Sequence, residues 1–180
     1  MFRPVRGFTL WELLCTCLLA GVVLGLAVPS MRGLALDMRR TAEINELVLA
    51  IQLARSEASK RGRSVVICKS ADALRCAGGD FSFGAGWIVF VDLDGARPPQ
   101  RSPDEPLLLA HTPLGTGTIA SNREYYEFRP IQRRSINGTV VFCDDRGPGA
   151  ARAVIVSYTG RPRVASVDSS GGPLRCAGRS

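Results

Sequence analysis

The chain has 180 residues and a formal net charge of +7, from 23 basic and 16 acidic side chains. After a short leader and an apolar N-terminal stretch, this length leaves room for one modest soluble domain and excludes a second. Lys60 and Lys69 are the only lysines, so almost all the basic charge is arginine, which suits bidentate phosphate contacts but also accompanies GC-rich coding. Composition alone therefore favours a polyanionic partner only slightly.

The N-terminus reads Arg-Gly-Phe-Thr-Leu-Trp-Glu over residues 6–12 and is then apolar from Leu13 to Val28. Because about 20 apolar residues cross a bilayer core, we expect a membrane helix over residues 8–29, with the leader arginines in the cytoplasm. A carboxylate such as Glu12 in that helix costs roughly 2.5–3.5 kcal/mol, so we expect its partner on another subunit. An ordinary secretory signal would need a small-residue cleavage site after the apolar run, and residues 28–31 form a poor one.

This leader, with Gly7, Phe8 and Glu12 in the pattern Gly-Phe-Thr-Leu-x-Glu, resembles the class III signal of type IV pilins and type II secretion pseudopilins. The resemblance implies cleavage by prepilin peptidase between Gly7 and Phe8, N-methylation of Phe8, and pairing of that amine with Glu12 of a neighbouring pilin. It also implies a single-pass inner-membrane protein with a periplasmic C-terminal domain, which becomes extracellular once assembled into a pilus.

Beyond Pro29, apolar residues recur at helical spacing from Ile44 to Ala58, and the opposite face is polar. We expect the amphipathic half of the helix over residues 30–62, ending at Gly62. The remaining residues, 63–180, change to short β-type runs separated by Gly, Pro, Asn and Asp. The predicted strands are Ser64–Lys69, Trp87–Val91, Leu107–Thr112, Tyr125–Phe128, Thr139–Cys143, Ala153–Tyr158 and Arg163–Val167. Turn signals stand at Asn137-Gly138 and at Gly160 with Pro162.

The six cysteines fall into two groups. Cys15 and Cys17 lie on different faces of the apolar helix, which makes a bond between them implausible. The other four belong to the part expected outside the cytoplasm, where disulfides persist. They are Cys68, Cys76, Cys143 and Cys176. We predict that the first two pair and the last two pair, because each partner lies in or beside a segment that can return to the other.

Candidate catalytic and metal-binding residues are few. No Cys-x-x-Cys occurs, and the single histidine, His111, has no ligand-like spacing to any cysteine or nucleophile beside it, so neither a zinc site nor an enzyme is predicted. The run Asp92-x-Asp94-Gly95 lacks the further ligands of a calcium loop and reads as a turn. Asn137-Gly138-Thr139 fits a glycosylation acceptor, but a hairpin turn explains it better. No cofactor is expected.

The soluble half resembles the GspH/FimT branch of minor pilins and pseudopilins, through the helix end Arg55–Ala58, the Val-Val-Ile-Cys strand at 65–68 and Gly86–Phe90, in that order. This resemblance implies an α+β, type IV pilin-like fold. A long N-terminal helix then packs against antiparallel β-sheets in a β-rich domain over residues 63–180, preceded by the leader over residues 1–7.

Gly160-Arg161-Pro162-Arg163 is similar to the Gly-Arg-x-Arg element of FimT-type minor pilins, which that group associates with binding DNA in natural transformation. A glycine turn lets two guanidinium groups project together, and phosphate contacts read no base, so the resemblance implies non-specific binding of double-stranded DNA. Three further arginines could widen the patch. They are Arg152, Arg175 and Arg179.

Two alternatives to DNA binding stay open. The Gly160–Arg163 turn can be a merely solvated turn whose arginines serve solubility. The chain is then a structural minor pilin or a type II secretion pseudopilin that primes filament assembly without binding DNA. Arg133 and Arg134 form at most a minor basic patch by the same reasoning.

Overall fold

The computed structural model describes residues 7, 9–79, 82–113, 117–130 and 134–176. Phe8, Arg133 and Arg179, which the sequence analysis singles out, lie outside these residues. One long helix and eight strands occur in the described part of the chain. They are α1 Leu10–Arg61, β1 Ser64–Lys69, β2 Trp87–Asp92, β3 Leu107–His111, β4 Thr118–Ser121, β5 Tyr125–Phe128, β6 Gly138–Cys143, β7 Arg152–Val156 and β8 Pro162–Ala165.

The chain divides into two units, Met1–Met38 and Arg39–Ser180. In the first unit α1 begins at Leu10, and the Glu12 backbone N–H donates to Oγ1 of Thr9 over 3.3 Å, an N-cap. The leucine and valine side chains between residues 10 and 24 are exposed. Within the residues described, no helix has both the length and the apolar character needed to cross a membrane. The membrane helix expected over residues 8–29 is therefore not confirmed.

The second unit holds two four-stranded sheets. Their strand orders are β3-β2-β1-β5 and β4-β6-β7-β8, and every neighbouring pair is antiparallel. Ile44, Leu47 and Ile51 of α1 are buried in one core with side chains of both sheets. Alternation along each strand explains the pattern, since Val65 and Ile67 join this core while Val66 joins a cluster on the other face of its sheet. The predicted α+β fold, a helix packed on antiparallel sheets, is confirmed.

The outer face of each sheet carries a smaller apolar cluster beside a disulfide. Cys68 and Cys76 are bonded next to the outer face of the first sheet, with a Cα–Cα distance of 5.5 Å. Cys143 and Cys176 are bonded next to the outer face of the second sheet, with a Cα–Cα distance of 5.9 Å. These are the two pairs that the sequence analysis proposes. The second pair holds the C-terminal segment, including buried Leu174, against β6 and β7.

Several strand ends differ from the predicted bounds by one or two residues, so that β7 ends at Val156 and leaves Tyr158 in the turn. Two further local features differ from the sequence expectations. Strand β4, Thr118–Ser121, was not predicted, because its short run has only one large apolar residue, the buried Ile119. Gly138 is not in a turn but begins β6, opposite Val156. A Cβ there would lie 2.7 Å from Oδ1 of Asn122 and 2.9 Å from the Tyr126 hydroxyl. Glycine is therefore required at this position by a close approach, and not by a hairpin turn.

Candidate nucleic-acid interface

The turn between β7 and β8 is held by its own hydrogen bonds. The Gly160 N–H donates to the Ser157 carbonyl over 2.8 Å, and the Ser157 N–H donates to the Arg161 carbonyl over 3.1 Å. Gly160 has φ +72° and is buried, and a Cβ there would lie 3.0 Å from Cδ1 of Phe128 and 3.3 Å from Cδ of Arg55. Both the left-handed backbone and the crowding require glycine. The turn predicted at Gly160 is thus present, and its glycine has a structural role.

Arg161 and Arg163 follow this turn and are exposed. Arg163 lies opposite Ile155 in the β7–β8 register, and β8 is an edge strand of its sheet. Within the described residues, neither guanidinium has a hydrogen-bond or ion-pair partner. Arg163 lies on β8 and Arg161 immediately precedes this strand, so two positive charges stand two residues apart. They are free to bind an anion.

The other arginines predicted for this patch lie elsewhere. Arg152 begins β7, opposite Phe142, and donates from Nη1 to the Ala151 carbonyl over 2.8 Å. Arg175 is exposed beside Cys176, which is bonded to the end of β6. Both therefore lie at the opposite end of the β7–β8 hairpin from the Gly160 turn. The structure brings Arg161 and Arg163 together but does not bring Arg152 or Arg175 to them.

A basic groove that sequence reasoning missed adjoins the Gly160 turn. Its volume is about 910 Å³. Its walls are the C-terminal part of α1, the segment after β5 and the β7–β8 turn. The lining residues are Gln52, Arg55, Ser56, Ser59, Arg129, Pro130, Arg134, Ser135, Tyr158 and Thr159. The segment after β5 is joined to the β7–β8 turn by a backbone hydrogen bond, in which the Ser135 N–H donates to the Tyr158 carbonyl over 3.0 Å.

Other arginines are committed to a buried carboxylate. Glu127, on β5, accepts from Arg97 Nη2 over 2.9 Å and from Arg129 Nη2 over 3.0 Å, and it also accepts from the Ser64 hydroxyl over 2.9 Å. Burial alone raises the pKa of Glu127, but hydrogen bonds from Arg129 and Ser64 outweigh burial and leave the pKa below its ordinary value. Arg97 also binds buried Asp92, from Nη1 to Oδ2 over 3.0 Å. These arginines hold the end of the first sheet together.

The acidic group Asp92, Asp94 and Glu105 brings three carboxylates within 4.8 Å of one another. The carboxylates already accept backbone N–H bonds, from Gly95 to Asp92 over 2.8 Å and from Leu93 to Glu105 over 2.7 Å. The run reads as the turn that the sequence predicts, with its oxygens used by the backbone. These hydrogen bonds to the carboxylates hold the backbone of the loop after β2.

His111 has a structural environment. Its Nε2 lies 2.9 Å from Oε2 of Glu43 on α1, and its ring centroid lies 4.2 Å from that of buried Trp87. The histidine thus joins strand β3 to the helix and to β2.

Gly7 and Glu12, two of the residues predicted for processing and assembly, lie in the described part of the chain. Gly7 is exposed and not helical, and Glu12 is exposed in the first turn of α1. The cleavage, the methylation and the pairing of Glu12 with a neighbouring subunit stay predictions, because they involve other molecules.

Comparison with known proteins supplies the family. The family model for the type II transport protein GspH matches residues 43–160. A pilin-like protein, PilA1 of Thermus thermophilus, is 32% identical over 174 residues, which cover 88% of this chain and 97% of the relative. The chain belongs to the GspH/FimT family of type IV pilin-like proteins. The resemblance found in the sequence is thereby confirmed.

Solved structures agree on the fold. Two crystal forms of the type IV minor pilin FimU of Pseudomonas aeruginosa superimpose with TM-scores of 0.54 and 0.55 at 20% identity. They match 76% of this chain and 98% and 92% of the respective FimU chains. Proteins of this family and fold are structural and pilin-like, and they associate with other pilins in a filament.

Proposed function

We propose that this protein is a minor type IV pilin that binds extracellular double-stranded DNA without sequence preference, for uptake in natural transformation. The carrying observation is the pair of exposed guanidiniums on Arg161 and Arg163, neither of which has a partner in the described part of the chain. Arginine contacts to phosphate neutralise the DNA backbone and carry no base information. Such a pair binds DNA of any sequence.

The backbone around the pair supports this proposal. Two backbone hydrogen bonds fix the turn, and the Arg161 N–H also donates to the Ser157 hydroxyl over 3.2 Å. Both arginines therefore start from an ordered backbone, and binding orders only their side chains. Arg152 and Arg175 lie at the far end of the hairpin, so we expect them to contribute through the general field of the protein and not through shared phosphate contacts.

Fluorescence anisotropy with a random-sequence duplex tests the proposal directly. The full oxidised chain, kept in mild detergent because of its exposed N-terminal apolar side chains, is expected to bind with Kd of about 1–100 μM and to release DNA as salt rises. Arg161→Ala/Arg163→Ala should weaken binding at least about tenfold and flatten the dependence of log K on log salt by about 2. Unchanged affinity in this double variant would reject the assignment.

A charge-matched variant provides the control. Arg152→Ala/Arg175→Ala removes the same two charges from the opposite end of the hairpin. If the Arg161–Arg163 pair forms a local site, this variant should lose no more than about threefold, the share expected from the overall field. Equal losses in the two double variants would mean that net charge alone, and no site, governs binding.

The alternative function is that of a structural minor pilin or type II secretion pseudopilin that primes filament assembly. The match to the family model of the type II transport protein GspH favours it. Under this alternative, variants of Arg161 and Arg163 assemble and function normally, and the duplex does not bind. The two functions share one anchor and one fold.

We also propose that the N-terminus is processed and inserted as in other pilins, with prepilin peptidase acting between Gly7 and Phe8, Phe8 methylated, and Glu12 paired with a neighbouring subunit. The protein is then a single-pass protein of the inner membrane before assembly, with its second unit in the periplasm, and it has no enzymatic role. Gly7→Val should retain the leader, as seen by mass spectrometry, and normal cleavage would contradict this. Glu12→Ala should be cleaved but fail to enter filaments.

A further inference from the structure

We propose that the groove beside the Gly160 turn is a binding site for single-stranded DNA, with Tyr158 as its stacking platform and Arg55 and Arg134 as its phosphate contacts. The proposal rests on the DNA-binding function proposed above and adds a second form of ligand at a neighbouring surface. It starts from the groove itself, whose volume of about 910 Å³ lies within the range of sites that hold small ligands.

The charges in the groove favour an anion. Arg129 is paired with Glu127, so its charge is already compensated. Among the described residues, Arg55 donates only to the neutral Gln52 side chain, Nη1 to Oε1 over 3.2 Å, and Arg134 has no carboxylate partner. No Asp or Glu occurs among the described lining residues. Two guanidinium charges are therefore uncompensated in a concave polar site, where an anion is held more strongly than on an open surface.

Tyr158 adds an exposed aromatic ring to this basic groove. Its relative exposure is 57%, and the Arg134 guanidinium carbon lies 5.8 Å from its ring centroid. Aromatic rings within a positively charged groove are the usual platform for unpaired bases, and each stacked base contributes about 1–3 kcal/mol. Serine and threonine hydroxyls of the lining supply neutral donors for phosphate oxygens.

The combination selects a single strand over a duplex. In a duplex the bases are stacked on each other, so a protein ring that stacks on one must first unstack it. A single strand or a frayed end offers a free base face to Tyr158, and its backbone can continue past the groove. Gly160 packs against Arg55 at the edge of the groove, and the next residue is Arg161. A strand that leaves the groove therefore meets the arginine pair that we assign to the duplex.

The test compares a fluorescent oligothymidine with a blunt duplex of equal length, on the full oxidised chain in mild detergent. Tyr158→Ala should weaken oligothymidine binding about tenfold and leave duplex binding within about twofold. Tyr158→Phe keeps the ring and removes only the hydroxyl, so it should bind both ligands as the parent does. Thermal unfolding of both variants checks that the turn is intact, which we expect because Tyr158 contacts Ser135 through its backbone.

The outcomes separate this inference from the proposed function. If the duplex requires Arg161 and Arg163 but oligothymidine binding ignores Tyr158→Ala, the groove assignment is wrong and the duplex site stands. If Tyr158→Phe loses as much as Tyr158→Ala, stacking is not the interaction and the inference also fails. If Tyr158→Ala alone weakens the oligothymidine while Arg161→Ala/Arg163→Ala leaves the duplex unaffected, the groove stands and the duplex site falls.

Discussion

Two pairs of arginines in the second unit differ in whether an acidic side chain lies within reach of their guanidinium groups. Arg97 and Arg129 bind the buried carboxylate of Glu127 at the end of the first sheet. Arg161 and Arg163, beside the β7–β8 turn, have no carboxylate in the described part of the chain. The difference shows that the position of acidic partners decides whether an arginine stabilises the fold or is available to a ligand. A count of basic residues cannot separate the two.

The largest expected effect is the loss of stability when Arg97, an arginine paired with carboxylates, is removed. Arg97→Ala leaves Asp92 and Glu127, whose side chains are 3% and 2% exposed, without their shared cation. Removing one partner of a buried ion pair costs about 3–5 kcal/mol. We expect the lower end, because the Arg97 side chain is 41% exposed and Arg129 and Ser64 still donate hydrogen bonds to Glu127. Chemical denaturation measures this. Arg163→Ala, in contrast, should change the free energy of unfolding by less than about 0.5 kcal/mol.

A smaller effect on stability and duplex affinity tests whether the Gly160 turn positions Arg161 and Arg163. Gly160→Ala forces a side chain into a left-handed backbone and a crowded space, at a cost of about 1–3 kcal/mol. Gly171→Ala is the control, because Gly171 has φ +88° but nothing within 4 Å of a Cβ, so it carries only the backbone strain. Duplex affinity should fall for Gly160→Ala and not for Gly171→Ala. Equal stabilities of the two variants would show that crowding at Gly160 is unimportant.

The dependence of the free energy of unfolding on pH tests another carboxylate that is paired with arginines, Asp144. Asp144 accepts from Arg146 Nη2 over 2.7 Å, which together with a backbone bond from Arg146 and the nearby charge of Arg40 lowers the pKa of Asp144 from 3.8 to about 2, although burial opposes this. A carboxyl whose pKa is lower in the folded state stabilises the fold above its unfolded pKa and ceases to do so as pH falls through the folded value. Stability should therefore decline between about pH 4 and pH 2.

Asp144→Asn isolates this contribution from that of the other carboxyls. Denaturation of the variant and of the parent should differ most above the window and converge at its acidic end, because the parent then carries a neutral carboxyl too. A difference that stays constant through the window would mean that Asp144 stabilises the fold through packing alone. Arg40 Nη1 lies 3.2 Å from Oδ2 of Asp144 and so links the loop after β6 to α1. We therefore expect protonation of Asp144 to lower the free energy of unfolding of the whole second unit.

The smallest expected effect concerns the arginines at the far end of the hairpin. Arg152→Ala alone should leave both stability and duplex affinity nearly unchanged, because among the described residues its guanidinium binds only the neighbouring Ala151 carbonyl. Denaturation and anisotropy on the same preparation measure both. A loss as large as that of Arg161→Ala would mean that the interface extends over the length of the hairpin.

The sequence was sufficient for the elements whose periodicity is strong. Short runs of β-type residues between turn residues located Ser64–Lys69 and Tyr125–Phe128 with their observed bounds, and helical spacing located the buried face of α1. It was insufficient for β4, where one isoleucine between small polar residues leaves no pattern to recognise. The turn predicted at Gly138 was wrong, because glycine is selected both by the close approach of neighbouring atoms and by a left-handed turn, and only the structure distinguishes the two.

The interface was harder to predict because it depends on register. Arg161 and Arg163 are two residues apart in the chain, so their proximity follows from the sequence. Arg152 is near them in number but lies at the other end of a hairpin, which requires the pairing of Ala153 with Ala165 to be known. Tyr158 and Arg55 come together only through the packing of Gly160 on α1. Tyr158 stands two residues before Gly160, and this was the one available signal.

The most direct measurement is an NMR titration of the arginine Nε–Hε signals in the full oxidised chain with random-sequence duplex DNA. Our account predicts that the signals of Arg161 and Arg163 shift progressively with added DNA and return at high salt, while those of Arg97 and Arg129 stay in place because Glu127 already binds them. Shifts of Arg97 without shifts of Arg161 and Arg163, or equal shifts of all four, would contradict the account.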